Sequence, residues 1–386
     1  MDVSTEASYQ ELLSAVSLTG TRAVLRVTAM YQPTGGVGSK VFPPTYPAQN
    51  GQSPYVLESR MVDGQERGNV LLDSTPSQAN RAEEALLRAR RAGIVRVPLL
   101  QIEHEGAAPV VLTSLEFPHR YADAYLRDSL LDGVAFDKTE LGRSLMAASP
   151  DDATTLYAHD PGSLVYGAWN SHRKGRQRKF PRVYASEVIG WDPVVGARNA
   201  GRMDPLNLQG AQKRRADGEG WDYAPASTKV KGEKLSEIGH GNVAPNPQHG
   251  GVTIHSAQRC ATLSFAGLDR IGFGTASAAA ADAARAVLAA YAMLADRLAF
   301  GRSSLWLRSG CELVLESERI EWVHRGGGTE QLDLTVDQAV ALFEVATAHA
   351  QKQGLPLTTG TVVLTPSKPL AQAIDFSLTK ASGDEA

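Results

Sequence analysis

Val70-Leu71-Leu72-Asp73-Ser74-Thr75-Pro76-Ser77-Gln78-Ala79-Asn80-Arg81 changes character partway along its length. Three apolar residues suit a buried strand. The Asp-Ser-Thr-Pro run then supplies capping side chains and an early proline, and the good helix formers Ala82 to Leu86 continue it. A strand therefore runs directly into a helix, with Asp73 at the junction, where capping or turn formation is the ordinary role of an aspartate. Toward the N-terminus, Tyr31 to Gly68 is rich in Gly, Pro, Gln and Ser without a sustained period and reads as a long functional or mobile loop. Before it, Thr21 to Ala29 alternates apolar and polar residues as a half-buried strand does, and residues 6–18 suit an amphipathic helix.

Toward the C-terminus, Val110-Val111-Leu112 reads as a strand. It leads into a helix predicted from His119 to Leu131, on which His119, Asp123 and Arg127 recur every four residues and share a face. Leu164 to Trp169 and Val183 to Ile189 are strand-like. Residues 193–251 lack strong periodicity and read as a projecting insertion. Regular structure returns with strands at Val252 to His255 and Ala261 to Phe265, then an Ala-rich helix from Ser277 to Phe300. Strands follow near residues 304–307, 312–315 and 320–323. A helix from Thr335 to Gln353 opens on the capping pattern Thr335-x-x-Gln338, and Val362 to Leu364 is the last strand. Interspersed strands and helices with long insertions favour an α+β or mixed α/β core.

The chain has 386 residues, 42% hydrophobic and 21% charged, which is ordinary for a globular protein. At ~150 residues per domain it amounts to two or three domains. No apolar run is expected to reach the ~20 residues that span a bilayer, and Met1 to Glu6 lacks the features of a secretory signal. The two cysteines are too few for a disulfide scaffold or a Cys-based zinc site, so the chain reads as soluble and cytoplasmic, without a membrane partner. Phosphate-binding Gly-rich loops, the His-Glu-x-x-His helix and the nucleophile elbow are all missing, and catalysis is not visible.

A net charge of −3 argues against a nucleic-acid binder until the charge is located. Ser163 to Cys260 carries fifteen basic and eight acidic residues, a net +7, which leaves −10 for the remainder. That asymmetry marks a polyanion-binding surface. Its densest part is His172-Arg173-Lys174-Gly175-Arg176-Gln177-Arg178-Lys179-Phe180-Pro181-Arg182, which contains no acid and suits the tip of a long hairpin or loop. Tyr166, Trp169, Phe180 and Tyr184 lie close by as stacking surfaces or as core.

Four ordered peptides now combine: Leu71 to Ser74 with Ser77 to Arg81; Thr113 to Glu116 with His119 to Ala124 and Arg127 to Ser129; Leu164 to Ser171; and Ser236 to Asn242 with Gly250 to Ile254. With them the chain resembles the CRISPR-associated RAMP family of type I-U (I-G) systems, the backbone subunit of a Cascade-like effector. The resemblance implies an α+β fold. It consists of an RRM-like (ferredoxin-like) palm over residues 1–192 and 252–386, enlarged by insertions, with a basic thumb at 193–251. It implies a non-catalytic protein without cofactor or metal that polymerises along a CRISPR RNA. Its other partners would be target DNA through the guide duplex, further copies of itself and other effector subunits. Guide contacts are expected from Ser77, Gln78, Asn80 and Arg81, whose helix amides and dipole suit phosphate. They are also expected from His119, Arg120 and Arg127, and from His172, Arg173, Lys174, Arg176, Arg178, Lys179 and Arg182. Thumb contacts to the duplex would come from Lys213, Arg214, Arg215, His240 and Asn242. Asp123 and Arg127 also suit a simple i,i+4 ion pair. The rival readings are a metal-dependent guide-directed RNA endonuclease, with Asp73 the position for metal chemistry, and a stand-alone RNA-binding module.

Overall fold

The computed structural model describes residues 3–47, 53–106, 109–170, 178–197, 201–206, 208, 211–214, 220–224, 233–243 and 249–383. Helix α1 (Val3–Val16) leads into strand β1 (Arg22–Pro33), whose side chains alternate as its sequence requires: Leu25, Val27, Ala29 and Tyr31 are buried, whereas Arg26, Thr28 and Met30 are half-exposed. The aperiodic stretch 31–68 is not one loop. Strands β2 (Leu57–Val62) and β3 (Gln65–Asp73) form a hairpin within it, turning at Asp63-Gly64 with φ of 49° and 77°. Both turn residues occupy the left-handed region, which Asp tolerates and Gly favours. Helix α2 (Thr75–Arg91) follows as expected. Strands β4 (Leu99–His104) and β5 (Val110–Thr113) belong to a second sheet.

Two expectations fail in the next segment. The helix predicted over 119–131 is a 3-10 turn (Arg120–Ala122), a one-turn helix α3 (Ala124–Arg127) and strand β6 (Ser129–Leu131), which pairs with β7 (Val134–Ala135). Arg120 has φ 51°, and Asp123 is extended, capping Tyr125 N and accepting from His119 N, so the helix breaks there. Helices α4 (Glu140–Ala147), α5 (Thr154–His159) and α6 (Pro161–Val165) come next. Leu164 and Val165, read as strand, close α6, which Asp160 caps and Pro161 opens. Only β8 (Ala168–Asn170) is extended, and its partner is β9 (Arg178–Phe180) rather than β10 (Tyr184–Trp191).

Beyond β10, β11 (Val194–Val195) pairs with β15 (Val252–Thr253). Between them β12 (Ala211–Arg214), β13 (Trp221–Ala224) and β14 (Glu233–Lys234) make a separate three-stranded sheet. The chain then forms β16 (Ser256–Ser264), α7 (Phe265–Asp269), α8 (Ala278–Phe300) and β17 (Ser304–Arg308). The two strands expected near 312–323 are one, β18 (Cys311–His324). It is followed by β19 (Thr329–Gln331), α9 (Val336–Lys352), β20 (Thr361–Pro366) and α10 (Lys368–Gly383), an element the periodicity reading passed over.

The main sheet runs β17-β18-β1-β16-β10-β3-β2, all neighbours antiparallel. Read across the sheet, β18, β1, β16 and β10 are the fourth, first, third and second of these four strands in chain order, with α2 crossing from the first to the second and α8 from the third to the fourth. That is the ferredoxin-like arrangement, and the fold is α+β. Strands β10 and β16 are a hairpin interrupted by the 193–251 insertion. Helices α1, α2, α8 and α9 pack over the buried face of the sheet. The expectation of no membrane-length apolar run also needs correcting: α8 is long and apolar enough to cross a bilayer. Here most of it is buried in the core, with Ala283, Ala286, Ala290 and Leu294 inaccessible or nearly so.

Candidate nucleic-acid interface

The Ser77–Arg81 turn faces inward for the most part. Asp73, at the end of β3, is fully buried and does not cap α2; Ser74 is the N-cap and makes no side-chain capping bond. The carboxylate accepts from Ser77 Oγ (2.7 Å), Gln78 Nε2 and Arg81 Nε (2.8 Å), while Arg308 lies 3.6 Å away. Arg81 also donates to the Leu307 carbonyl (2.7 Å). Gln78 is inaccessible, and its Oε1 accepts from Ser186 Oγ (2.7 Å) and Arg259 Nε (3.0 Å). Arg259, also inaccessible, donates to Tyr184 Oη (2.7 Å) and Asp296 and stacks its guanidinium on Phe300. Arg297 links Asp296 to Glu318. Burial opposes ionisation of Asp296, but Arg259 and Arg297 overcome it and hold the carboxyl below the usual carboxylate range. Gln78 and Arg81 therefore tie α2 to the sheet. Asp73, the rival reading's metal position, has both oxygens engaged by protein donors.

A different set of side chains faces out from the α2 amino end. Thr75, Pro76, Ala79 and Asn80 line a cavity of about 90 Å³ with Pro118, Arg120, Tyr166, Arg182 and Tyr184. Tyr166 is 3% exposed and its hydroxyl has no partner. Arg120 is held from behind, with Nε and Nη2 chelating Glu83 (2.6 and 2.8 Å) and Nη1 donating to the Gly167 carbonyl (2.9 Å). Burial pushes the Glu83 carboxyl up to about 7 against the pull of Arg120, and burial likewise raises Asp160. His119 is exposed, and Arg127 pairs with Asp128 (2.7 Å) and not with Asp123.

The β8–β9 hairpin carries the basic run. Trp169 stands opposite Lys179 and Asn170 opposite Arg178; the Lys179 ammonium lies 6.0 Å from the indole. Trp169 is 53% exposed, whereas Tyr166, Phe180 and Tyr184 are core, so the structure separates one surface aromatic from three packing ones. Arg182 is exposed at the hairpin base. Neither Lys179 nor Arg182 has an acidic partner among the described residues. His172, Arg173, Lys174 and Arg176 lie outside the described residues, as does Arg215. Lys213 and Arg214 fall on β12; His240 sits 5.8 Å from Trp221, ring to ring; Asn242 Oδ1 accepts from Asp204 N. The sequence reading missed the exposed pair Trp221 and Tyr223, although their alternation in Trp-Asp-Tyr-Ala beside a Lys-Arg-Arg run was a usable signal. Burial raises both thiols, Cys311 to about 11. Among the described residues no group of three or more His, Cys, Asp or Glu side chains could hold a metal ion.

Residues 25–194 match the sequence profile of a family described as CRISPR-associated protein GSU0053 (Cas_GSU0053). The matched stretch begins within β1 and ends at β11, taking in α2, the Arg120 cluster and the basic hairpin. It supports a CRISPR-associated role. No curated protein matches the chain.

Proposed function

We propose that this chain is a guide-RNA-binding backbone subunit of a type I-G Cascade-like complex. Several copies would assemble along one CRISPR RNA and support target DNA recognition through the guide duplex, together with other effector subunits. The observation that carries the reading is the β8–β9 hairpin, an acid-free basic segment beside the outward cavity at the α2 amino end. Lys179 and Arg182 have no acidic partner among the described residues, and phosphates are the counterions such a surface accepts. A grip on the backbone rather than the bases suits a subunit whose ligand is read by base pairing.

The open face of the main sheet agrees. RRM proteins stack bases on sheet aromatics, but here the half-exposed positions of β1 and β16, Arg26, Thr28, Met30, Gln258, Cys260 and Thr262 among them, include no aromatic residue. Arg26 pairs with Glu321 (2.8 Å) and Arg60 with Glu187 (2.5 Å) across that face. Trp191 reaches it only to be covered by Arg67, 4.8 Å above its ring.

The test is RNA binding by purified protein over a range of salt, with the log–log slope read as about −0.7 per phosphate neutralised. Changing Arg173, Lys174, Arg176, Arg178 and Lys179 to Glu is expected to flatten that slope and abolish stable binding while leaving the unfolding transition in place. Assembly mass is expected to grow with guide length. Undiminished binding by the charge-reversed variant would remove the hairpin from the RNA path, and a mass independent of guide length would remove polymerisation.

A further inference from the structure

The cavity at the amino end of α2 backs onto a dry cluster in which two acids share one cation. Glu83 and Asp160 are both buried, and the groups in electrostatic reach of Glu83 come from three elements. They are Arg120 on the 3-10 turn, Asp160 and Tyr166 at the two ends of α6, and Tyr291 on α8. Arg120 is the one cation among them. Asp160 accepts from Ser163 Oγ (2.6 Å), so the guanidinium is committed to Glu83. Three of its five N–H groups go to Glu83 and the Gly167 carbonyl, and one remains on each terminal nitrogen. The same side chain lines the cavity, from a residue kept at a left-handed φ of 51°, which an arginine adopts only at a cost. The rest of the cavity suits an anion. At about 90 Å³ it has room for several waters. Arg182 is exposed at its wall and has no acidic partner among the described residues. Ser74 makes no side-chain capping bond, so the first-turn amides of α2 lack that acceptor. Tyr166 lines the cavity too, buried, with its hydroxyl unpartnered.

From this juxtaposition we infer that an oxyanion held in the cavity competes with Glu83 for Arg120, so that its binding drives a proton onto the buried carboxyl. The inference rests on the RNA-binding reading proposed above and deepens it, the oxyanion being a backbone phosphate of the guide. With Glu83 ionised, the charge of Arg120 is already cancelled, and a phosphate beside it meets a like charge in a dry pocket. With Glu83 neutral, the carboxyl still accepts from the guanidinium, whose charge is then left to the phosphate. The proton comes from solvent and ends on a carboxylate oxygen; no other bond changes. Burial has already brought Glu83 up to about 7, so a modest further push acts near neutrality. A like charge across one guanidinium supplies a push of about one unit. Linkage makes the effect reciprocal: an anion that takes up a proton on binding is held more tightly as pH falls.

The experiment measures binding of an oligouridine strand to the full chain from pH 8.5 to pH 6 at constant low salt, for wild type and Glu83→Gln. The variant carries a permanently neutral amide in place of the carboxyl. It is expected to bind more tightly than wild type at pH 8.5 and equally at pH 6. The affinity of the wild type should therefore rise about 5- to 10-fold more than that of the variant across the range. The pH dependence left in the variant belongs to other groups, the exposed His119 among them. Titration calorimetry at pH 7.5, in two buffers of unlike ionisation enthalpy, tests the wild type without any substitution. Binding is expected to take up about half a proton at this site, and a folded Glu83→Gln should lose that uptake. Parallel pH profiles in the two proteins, or binding by wild type without proton uptake, overturn the coupling and leave the RNA-binding reading standing. A wild type that does not bind oligouridine at low salt sinks both.

Discussion

Glu83 gives the fold a pH dependence whose size can be worked out. It lies on α2 at 3% exposure, chelated by Arg120. A Cβ placed on Gly162 would sit 3.4 Å from both the Glu83 and Asp160 carboxylates and 3.5 Å from the Tyr291 hydroxyl, so two acids share one dry pocket with one guanidinium. Burial outweighs the ion pair and raises the carboxyl from 4.5 to about 7. A folded-state pKa above the unfolded one means that the native state holds a proton the unfolded state has released. Stability is therefore greatest below 4.5 and falls as pH climbs toward 7. A difference of about two to three units at 1.36 kcal/mol each is roughly 3 kcal/mol, most of which falls between pH 5 and 8. His159, whose pKa burial lowers, works in the opposite direction in the same window. The clean measurement is thus a difference: urea unfolding of wild type and Glu83→Gln at pH 5, 6, 7 and 8. The wild type is expected to lose about 2–3 kcal/mol relative to the variant across that range. A difference constant to within about 0.5 kcal/mol would mean that Glu83 is already ionised at pH 5 and that Arg120 prevails over burial.

Two further outcomes follow from the same packing. Arg259→Met leaves Gln78 and Tyr184 without their buried donor and is expected to cost about 3–5 kcal/mol in denaturant unfolding, whereas adding Asp296→Leu should recover part of that loss, since the second change removes the stranded charge. Thr335→Ala removes one half of the capping box at the start of α9, where Thr335 and Gln338 bond each other's backbone, and is expected to cost about 1 kcal/mol by the same measurement.

The sequence was most legible where local pattern and tertiary environment coincide. Strand β1 alternates because it has one buried face, α9 announces its capping box, and the alanines of α8 permit its tight burial. Legibility failed where a distant partner fixes the backbone. Tyr-Ala-Asp-Ala-Tyr-Leu-Arg is an acceptable helix, but Arg120 takes a left-handed φ with its guanidinium committed to Glu83, 37 positions earlier, and Asp123 restarts the helix. Leu164-Val165 is too short a run for periodicity to distinguish strand from helix, and the cue lay just before it, in Asp160-Pro161. Strand β2 was hidden because its first three residues are all exposed, as an edge permits. At the site, sequence could place Ser77 to Arg81 on a helix start. It could not reveal that Asp73 and Ser186 turn Ser77, Gln78 and Arg81 inward and leave Asn80 as the outward member.

The division between engaged and unengaged charge bears on the ligand more directly than net charge does. Arg26 with Glu321, Arg60 with Glu187 and Arg67 with Asp192 are close pairs whose fields cancel within a few ångströms, so the open sheet face has little to offer a polyanion at the ~8 Å over which salt lets charges act. Arg81, Arg120, Arg259 and Arg297 are likewise spent on Asp73, Glu83, Asp296 and Glu318. Subtracting these leaves cations such as Lys179 and Arg182, on and beside the hairpin, whose charge faces water. In the proposed reading that remaining charge, without an acidic partner among the described residues, holds the phosphates. Because salt screens this contribution, binding is expected to fall steeply as ionic strength rises, whereas the paired arginines of the open sheet face and the core leave that dependence unchanged.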